Sequence, residues 1–231
     1  MDATNDRILR DLREQLSWDS RVDASAVEAS VEYGRVTLSG TVLTLSAKRA
    51  VEEDARIIDG VDDVVNALEV RPPAAGIEDR ELAEVLRSVL GSNADLAAGP
   101  AAGASARDSS GVDIRVAVRS GLATLDGTVD VMWKKILAEE LLSSVRGVVG
   151  INNRLVVVPG GDALDERIAE EIARAVERSS SLHADMLDIR VEKGFVTLTG
   201  SVNGWHARHD AYRICLSTYG VVGVDEDLVV R

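Results

Sequence analysis

Aromatic residues are nearly missing from this chain: Trp, Tyr and Phe fill 3% of 231 positions. A core without them has to come from Val, Leu, Ile and Ala, and an apolar content of 45% supplies enough for an ordered fold. Cysteine is scarcer still. Cys215 is the one thiol, which excludes an intrachain disulfide. No apolar run is long enough to span a bilayer, so the chain reads as not transmembrane. Positive charge is in deficit, with 26 Lys and Arg against 39 Asp and Glu and a net charge of −13. Such a chain repels nucleic-acid phosphates and anionic membranes at long range, so nucleic acid is not an expected partner. The deficit is uneven: residues 1–72 carry −6, 73–160 carry −2 and 161–231 carry −5. The stretch from Met1 to Arg7 has no apolar h-region and no small-residue cleavage site. It points to the cytoplasm, with the periplasm as the alternative for a processed chain.

What is present is a repeat. Gly34-Arg-Val-Thr-Leu-Ser-Gly40 returns as Gly194-Phe-Val-Thr-Leu-Thr-Gly200, and Gly121-Leu-Ala-Thr-Leu-Asp-Gly127 lies between them. In each copy a Gly-Val pair follows twenty residues after the last glycine: Gly60-Val61, Gly147-Val148 and Gly220-Val221. A repeat sets domain count and fold together. The units predicted are 1–72, 77–159 and 163–231, each about 70 residues long, near the lower limit for independent folding.

Each unit opens on an amphipathic pattern. Ile8, Leu12 and Leu16 recur every four residues, as do Leu82, Leu86 and Leu90, and Ile168, Ile172 and Val176. Gly91 is placed to end the second of these helices. Two alternating segments follow. Val27, Ala29 and Val31 share one face, and Val36 and Leu38 return to it after Gly34. This period of two predicts a half-buried hairpin, with Gly34, Gly121 and Gly194 at a turn that needs positive φ. Gly40, Gly127 and Gly200 fall on the apolar side, where a missing side chain admits a close helix or a bulge. A second helix is expected over 46–59, its counterpart in copy two carrying Trp133, Leu137, Leu141 and Val145. Gly60, Gly147 and Gly220 suit its exit. Last strands are expected over 64–70, 151–157 and 224–230. The fold class is α+β: three tandem α-β-β-α-β units, each a three-stranded mixed sheet with both helices on one face. Copy two has 13 additional residues between its first helix and its turn glycine. They fall within 91–111, whose small and polar composition predicts a flexible loop. Short linkers are expected at 71–78 and 159–164, the first stiffened by Pro72-Pro73.

This succession resembles the BON domain. The match runs through Val36 to Val42, Gly60-Val61, Val64, Asn66 and Leu68; through Leu125, Gly127, Val129, Gly147-Val148, Ile151, Asn153 and Leu155; and through Val196 to Val202, Gly220-Val221, Val224 and Leu228. Glu226 replaces the asparagine in copy three. The resemblance implies a non-enzymatic protein without a cofactor. Its relatives include periplasmic proteins of osmotic and envelope stress, some binding phospholipid headgroups, and parts of secretion and mechanosensitive channel proteins. A cytoplasmic relative binds potassium.

Few residues suggest chemistry of their own. Trp133, Lys134 and Lys135 form the best candidate for a phospholipid or protein-partner surface, because an aromatic beside cations suits a headgroup interface. The competing reading is that Trp133 covers core while the lysines snorkel. Trp205 stands nearly at the same place in copy three, and Trp18 follows the first helix. Asp62, Asp63, Asp225, Glu226 and Asp227 are candidates for collecting a cation, the basis of an alternative role as a potassium or small-ligand sensor. His206 and His209 stand three apart near Asp210 and Cys215, but two ligands are not a zinc site and no metal is expected. Cys215 aligns with Ala55 and Leu142, which predicts a core thiol rather than a nucleophile. The segment 91–111 lacks lysine and is not a phosphate loop. The leading expectation is a stress-related interaction scaffold.

Overall fold

The structure, a computed structural model, describes residues 3–71, 78–97, 112–158, 164–183 and 186–230. Repeat one contains α1 (Ala3–Trp18), β1 (Val27–Glu32), β2 (Arg35–Val42), α2 (Leu45–Arg56), β3 (Asp63–Asn66) and β4 (Glu69–Val70). Repeat two contains α3 (Asp79–Ser92), α4 (Ala94–Ala97), β5 (Asp113–Arg119), β6 (Leu122–Val129), α5 (Met132–Ser143) and β7 (Gly150–Val157). Repeat three contains α6 (Asp165–Arg178), β8 (Leu187–Glu192), β9 (Phe195–Val202), α7 (Trp205–Ser217) and β10 (Gly223–Val230). The expected order of elements holds in all three. The chain divides into two compact units, and residues of the middle repeat contribute to both.

Each repeat has its own sheet, with the middle strand of the motif between the other two. In repeat one β1 pairs with β2 antiparallel, and β3 and β4 pair with β2 in parallel. Repeat three has the same arrangement, with β8 antiparallel and β10 parallel to β9. The register is shared as well: Arg35 faces Asp63 in one, and Phe195 faces Gly223 in the other. The first amide of the crossover's return finds the turn-glycine carbonyl in every copy. Asp62 donates to Gly34 at 2.8 Å, Val149 to Gly121 at 3.0 Å and Val222 to Gly194 at 2.9 Å. A mixed sheet is the consequence, because a helix has to carry the chain back between parallel strands.

Burial follows the sequence periodicity. Ile8, Leu12 and Leu16 of α1 join Val36, Leu38 and Val42 of β2 and Ala47, Val51 and Ala55 of α2 in one core. Ile168, Ile172, Val176, Val196, Leu198, Ala207, Ala211 and Cys215 form its counterpart in repeat three. Both helices of a repeat thus cover the same apolar face of its sheet, and the other face is left with the outward residues.

Two glycine positions are dictated by backbone geometry. The hairpins turn through Tyr33-Gly34, Ser120-Gly121 and Lys193-Gly194, with φ near 50° at the first residue and 76–78° at the second. Positive φ at both central residues is the turn whose twist matches paired strands. At Gly40, Gly127 and Gly200 φ lies between 110° and 130°. A Cβ there would run into the carbonyl of Ala26, Asp113 or Met186. The close approach therefore comes from the neighbouring backbone at the start of the hairpin's first strand, not from a helix.

Three sequence expectations need correction. Gly91 does not end α3, which runs to Ser92. Asn93 then accepts the amides of Asp95 and Leu96 at 3.0 and 3.1 Å and starts the short α4, which buries Leu96. The first part of the insertion is therefore helical, because an asparagine cap and one buried leucine suffice to order it; 98–111 lies outside the described residues. The linkers at 72–77 and 159–163, with Pro72-Pro73, lie outside them too. The last strand of repeat one is in two pieces rather than continuous. The Leu68 amide is turned to the Asn66 side chain at 3.2 Å between them, although the same bond from Leu155 to Asn153 leaves β7 continuous. The exit glycines Gly60, Gly147 and Gly220 keep positive φ, but each stands three or four residues beyond its helix, within the turn that follows.

Candidate functional site

The start of α5 is the candidate surface, and the structure divides it. Trp133 and Lys135 are half-buried, but Lys134 is 1% exposed and among the largest fully buried side chains. Its ammonium lies 2.9 and 3.0 Å from the two carboxylate oxygens of Asp130, itself buried. The ammonium is also 5.8 Å from the Trp133 ring centroid. Two opposite charges taken out of water hold one another, since either alone would be strongly disfavoured there. Lys134 is therefore withdrawn from any headgroup or partner, and the three residues do not form one surface. Burial, and secondarily the charge of Asp130, push the Tyr219 hydroxyl above its ordinary pKa.

The acidic candidates do not converge. Asp63 is paired with Arg35 at 2.9 Å. Glu226 is turned inward to Arg208 at 3.1 Å, while Asp225 and Asp227 are exposed on the other side of the strand. Alternation along an extended strand sends neighbouring carboxylates to opposite faces. Among the described residues no three His, Cys, Asp or Glu stand together as a metal site would require.

The histidine and thiol candidates are separated too. His206 and His209 are exposed on α7, Asp210 accepts the Ser181 hydroxyl at 2.7 Å, and Cys215 is fully buried in the core. Burial pushes the Cys215 thiol up to about 11. A thiolate is the reactive form, so this sulfur behaves as a small apolar group. Trp205 is 71% exposed with Arg208 stacked over it at 5.3 Å, and Trp18 is 80% exposed.

The sequence pattern of the BON domain matches residues 4–72, 78–159 and 164–231. The chain belongs to the BON domain family. No curated protein matches it significantly. Among the solved structures similar to it are two of CdsD, a structural protein of the type III secretion system of Chlamydia trachomatis. One is 14% identical, covers 97% of this chain and 92% of that chain, and has a TM-score of 0.26. The other, of the CdsD C-terminal domain, is 13% identical and covers both chains fully at a TM-score of 0.26.

The BON asparagine has a clear task here. Asn66 donates to the Lys48 carbonyl of α2 at 3.0 Å, and Asn153 to the Lys135 carbonyl of α5 at 2.9 Å. Each ties the last strand to the first turn of the second helix. In the third BON repeat Glu226 stands at this place, and the partner helix supplies Arg208 instead of lysine, so an ion pair replaces the amide bridge. A second bond type recurs in two repeats. The Asp79 carboxylate accepts the amides of Ser120 and Gly121 at 2.7 and 3.1 Å, and Asp165 those of Lys193 and Gly194 at 2.7 and 2.9 Å. The first helix is thereby clamped to the hairpin turn. Asn5 stands at the corresponding place in repeat one.

Repeat one carries its own buried acid. Asp54 is 5% exposed and receives the Gln15 amide at 3.1 Å. Burial raises its pKa above the ordinary 3.8, while hydrogen bonds from Arg21 hold the neighbouring Asp19 below it. Asp54, Asp130 and the two turn clamps escaped the sequence reading. For Asp130 a signal existed: an Asp and a Lys four apart, at positions that are apolar or neutral in the other copies.

Proposed function

We propose that this chain is a non-enzymatic scaffold of three BON repeats, 1–72, 77–159 and 163–231, which holds protein partners on the open faces of its sheets. The observation that supports it is the one-sided cover of each sheet. Helices bury one face, and the other presents exposed apolar residues among mixed charges. Leu122 and Val156 do so in repeat two, and Phe195 and Val229, each 61% exposed, in repeat three. Isolated exposed leucines are ordinary, but aromatic and aliphatic groups interspersed with charge fit protein contact. The buried polar groups Asp54, Asp130 and Lys134 have structural partners, and the one thiol is inert. The family resemblance suggests envelope or stress partners.

Affinity capture from the source cells tests this reading. The Phe195→Glu/Val229→Glu variant should lose partners that the wild type retains, with its melting temperature unchanged. An identical captured set from both proteins would overturn it. Cosedimentation with phospholipid vesicles tests the lipid version separately. A deficit in Trp133→Ala/Lys135→Gln relative to wild type would support it, and equal sedimentation would remove that surface.

A further inference from the structure

Beside the start of α2 in repeat one lies a cleft of about 170 Å³. Its lining includes Arg21, Arg71 and Arg146, in a chain whose net charge is strongly negative. All its lining residues belong to one compact unit. Arg21 is already paired with Asp19 at 2.7 Å and with Glu53 at 3.6 Å, which leaves Arg71 and Arg146 as the main positive charges. Arg71 donates to the Thr41 hydroxyl at 2.8 Å, and no described carboxylate pairs with Arg71 or Arg146. Thr44, which caps α2, adds a second hydroxyl to the wall. Asp23 also lines the cleft; one oxygen of its carboxylate accepts the Ser25 hydroxyl and amide at 2.6 and 3.2 Å, and its negative charge offsets part of the arginines'.

The second repeat shows what belongs at this place. Its Asp130 and Lys134 correspond in sequence to Leu43 and Ala47, which line the cleft in the first. There the chain supplies both an anion and a cation, and the two are buried together. In the first repeat the small Ala47 leaves room and arginines from other segments bring the positive charge, but Leu43 stands where repeat two has its carboxylate. We propose that this cleft binds a phosphate monoester, its phosphate standing where repeat two holds the Asp130 carboxylate.

The chemistry suits that ligand. Guanidinium forks match phosphate oxygens with paired hydrogen bonds, and hydroxyls and the amide end of a helix add donors without added charge. The cleft is several times the ~30 Å³ that one water occupies in the liquid. It therefore has space for an organic remainder beside Val42, Leu43 and Ala47. The same phosphate is presented by a free metabolite or by a lipid headgroup.

Titration calorimetry on the full chain tests the proposal, with glycerol 3-phosphate and inorganic phosphate as probes at constant ionic strength. Vesicles containing phosphatidic acid form a separate arm. Wild type should give saturable heat with the soluble monoester. Arg71→Gln/Arg146→Gln should weaken it about tenfold or more, roughly the loss of one charged contact, with an unchanged melting temperature. Leu43→Asp/Ala47→Lys, which transplants the ion pair of repeat two, should abolish it by filling the cleft. Binding to the vesicles alone, sensitive to the same arginine substitutions, would assign the phosphate to a headgroup. No saturable binding in either arm would overturn the proposal. So would equal affinity in the double-glutamine variant, or equal weakening by Arg154→Gln, which lies outside the cleft and reports bulk charge.

Discussion

Repeats one and two share a backbone frame and differ in what fills it. At the start of the second helix repeat one has Leu43 and Ala47, and repeat two has the buried pair Asp130 and Lys134. At the start of the first helix repeat two has Asp79 on the turn amides, and repeat one has Asn5. The frame therefore does not depend on either device. Glycines and aliphatics set the register, and polar groups are added copy by copy.

The comparison can be broken first at Lys134. Lys134→Ala should destabilise by about 3–5 kcal/mol, because it leaves Asp130 buried and unpaired. Asp130→Leu/Lys134→Ala, which restores the residues of repeat one, should recover to within about 1 kcal/mol of wild type. Denaturant melts of both variants check this; equal losses in the two would deny that the pair acts as a unit. A smaller effect is expected where the repeats agree. Gly40→Ala, Gly127→Ala and Gly200→Ala should each destabilise by about 1–3 kcal/mol through positive φ and the facing carbonyl. Next come the clamps. Asp165→Ala should lose about 1–2 kcal/mol with its two charged hydrogen bonds. Asn5→Asp should gain less than about 1 kcal/mol in repeat one if a carboxylate there reaches the turn. Hydrogen exchange at Lys193 and Gly194 would report the clamp directly, and unchanged protection in Asp165→Ala would refute it.

The smallest effect depends on pH. The Asp54 carboxyl binds its proton more tightly folded than unfolded, because burial raises its pKa. The charged form therefore opposes folding above the raised value, and the penalty disappears as pH falls toward 3.8. Asp54→Asn should be more stable than wild type at neutral pH and lose that advantage on acidification. Asp19 works in the opposite sense: its pKa is lowered, so its contribution is present at neutral pH and lost in acid. The difference between wild type and Asp54→Asn against pH reports Asp54 together with its coupling to Asp19. A flat difference would contradict the assignment.

Much of the fold could be read from the sequence because its signals are periodic and appear three times. Ile8, Leu12 and Leu16 had one reading, and the hairpin faces had one alternation. The candidate surface was less legible. Trp133, Lys134 and Lys135 look like neighbours on a line, but a helix turns about 100° per residue and sends Lys134 inward to Asp130. Asp225, Glu226 and Asp227 look like a cluster until strand alternation turns Glu226 to the opposite face, and Asp63 is taken up by Arg35. The arginine cleft brings together positions 21, 71 and 146, and no local pattern links residues so far apart. The polar contacts that differ between repeats leave almost no mark on hydrophobic periodicity.

The Gly121 carbonyl meets Val149 at 3.0 Å although thirteen added residues precede the hairpin of that repeat. By contrast, the stretch between the two glycine motifs has one length in all three copies. The polypeptide thus marks where foreign material can be spliced in. An epitope or a fluorophore tether belongs among positions 98–111, whereas the same graft between Gly127 and Gly147 would throw the parallel strands out of step.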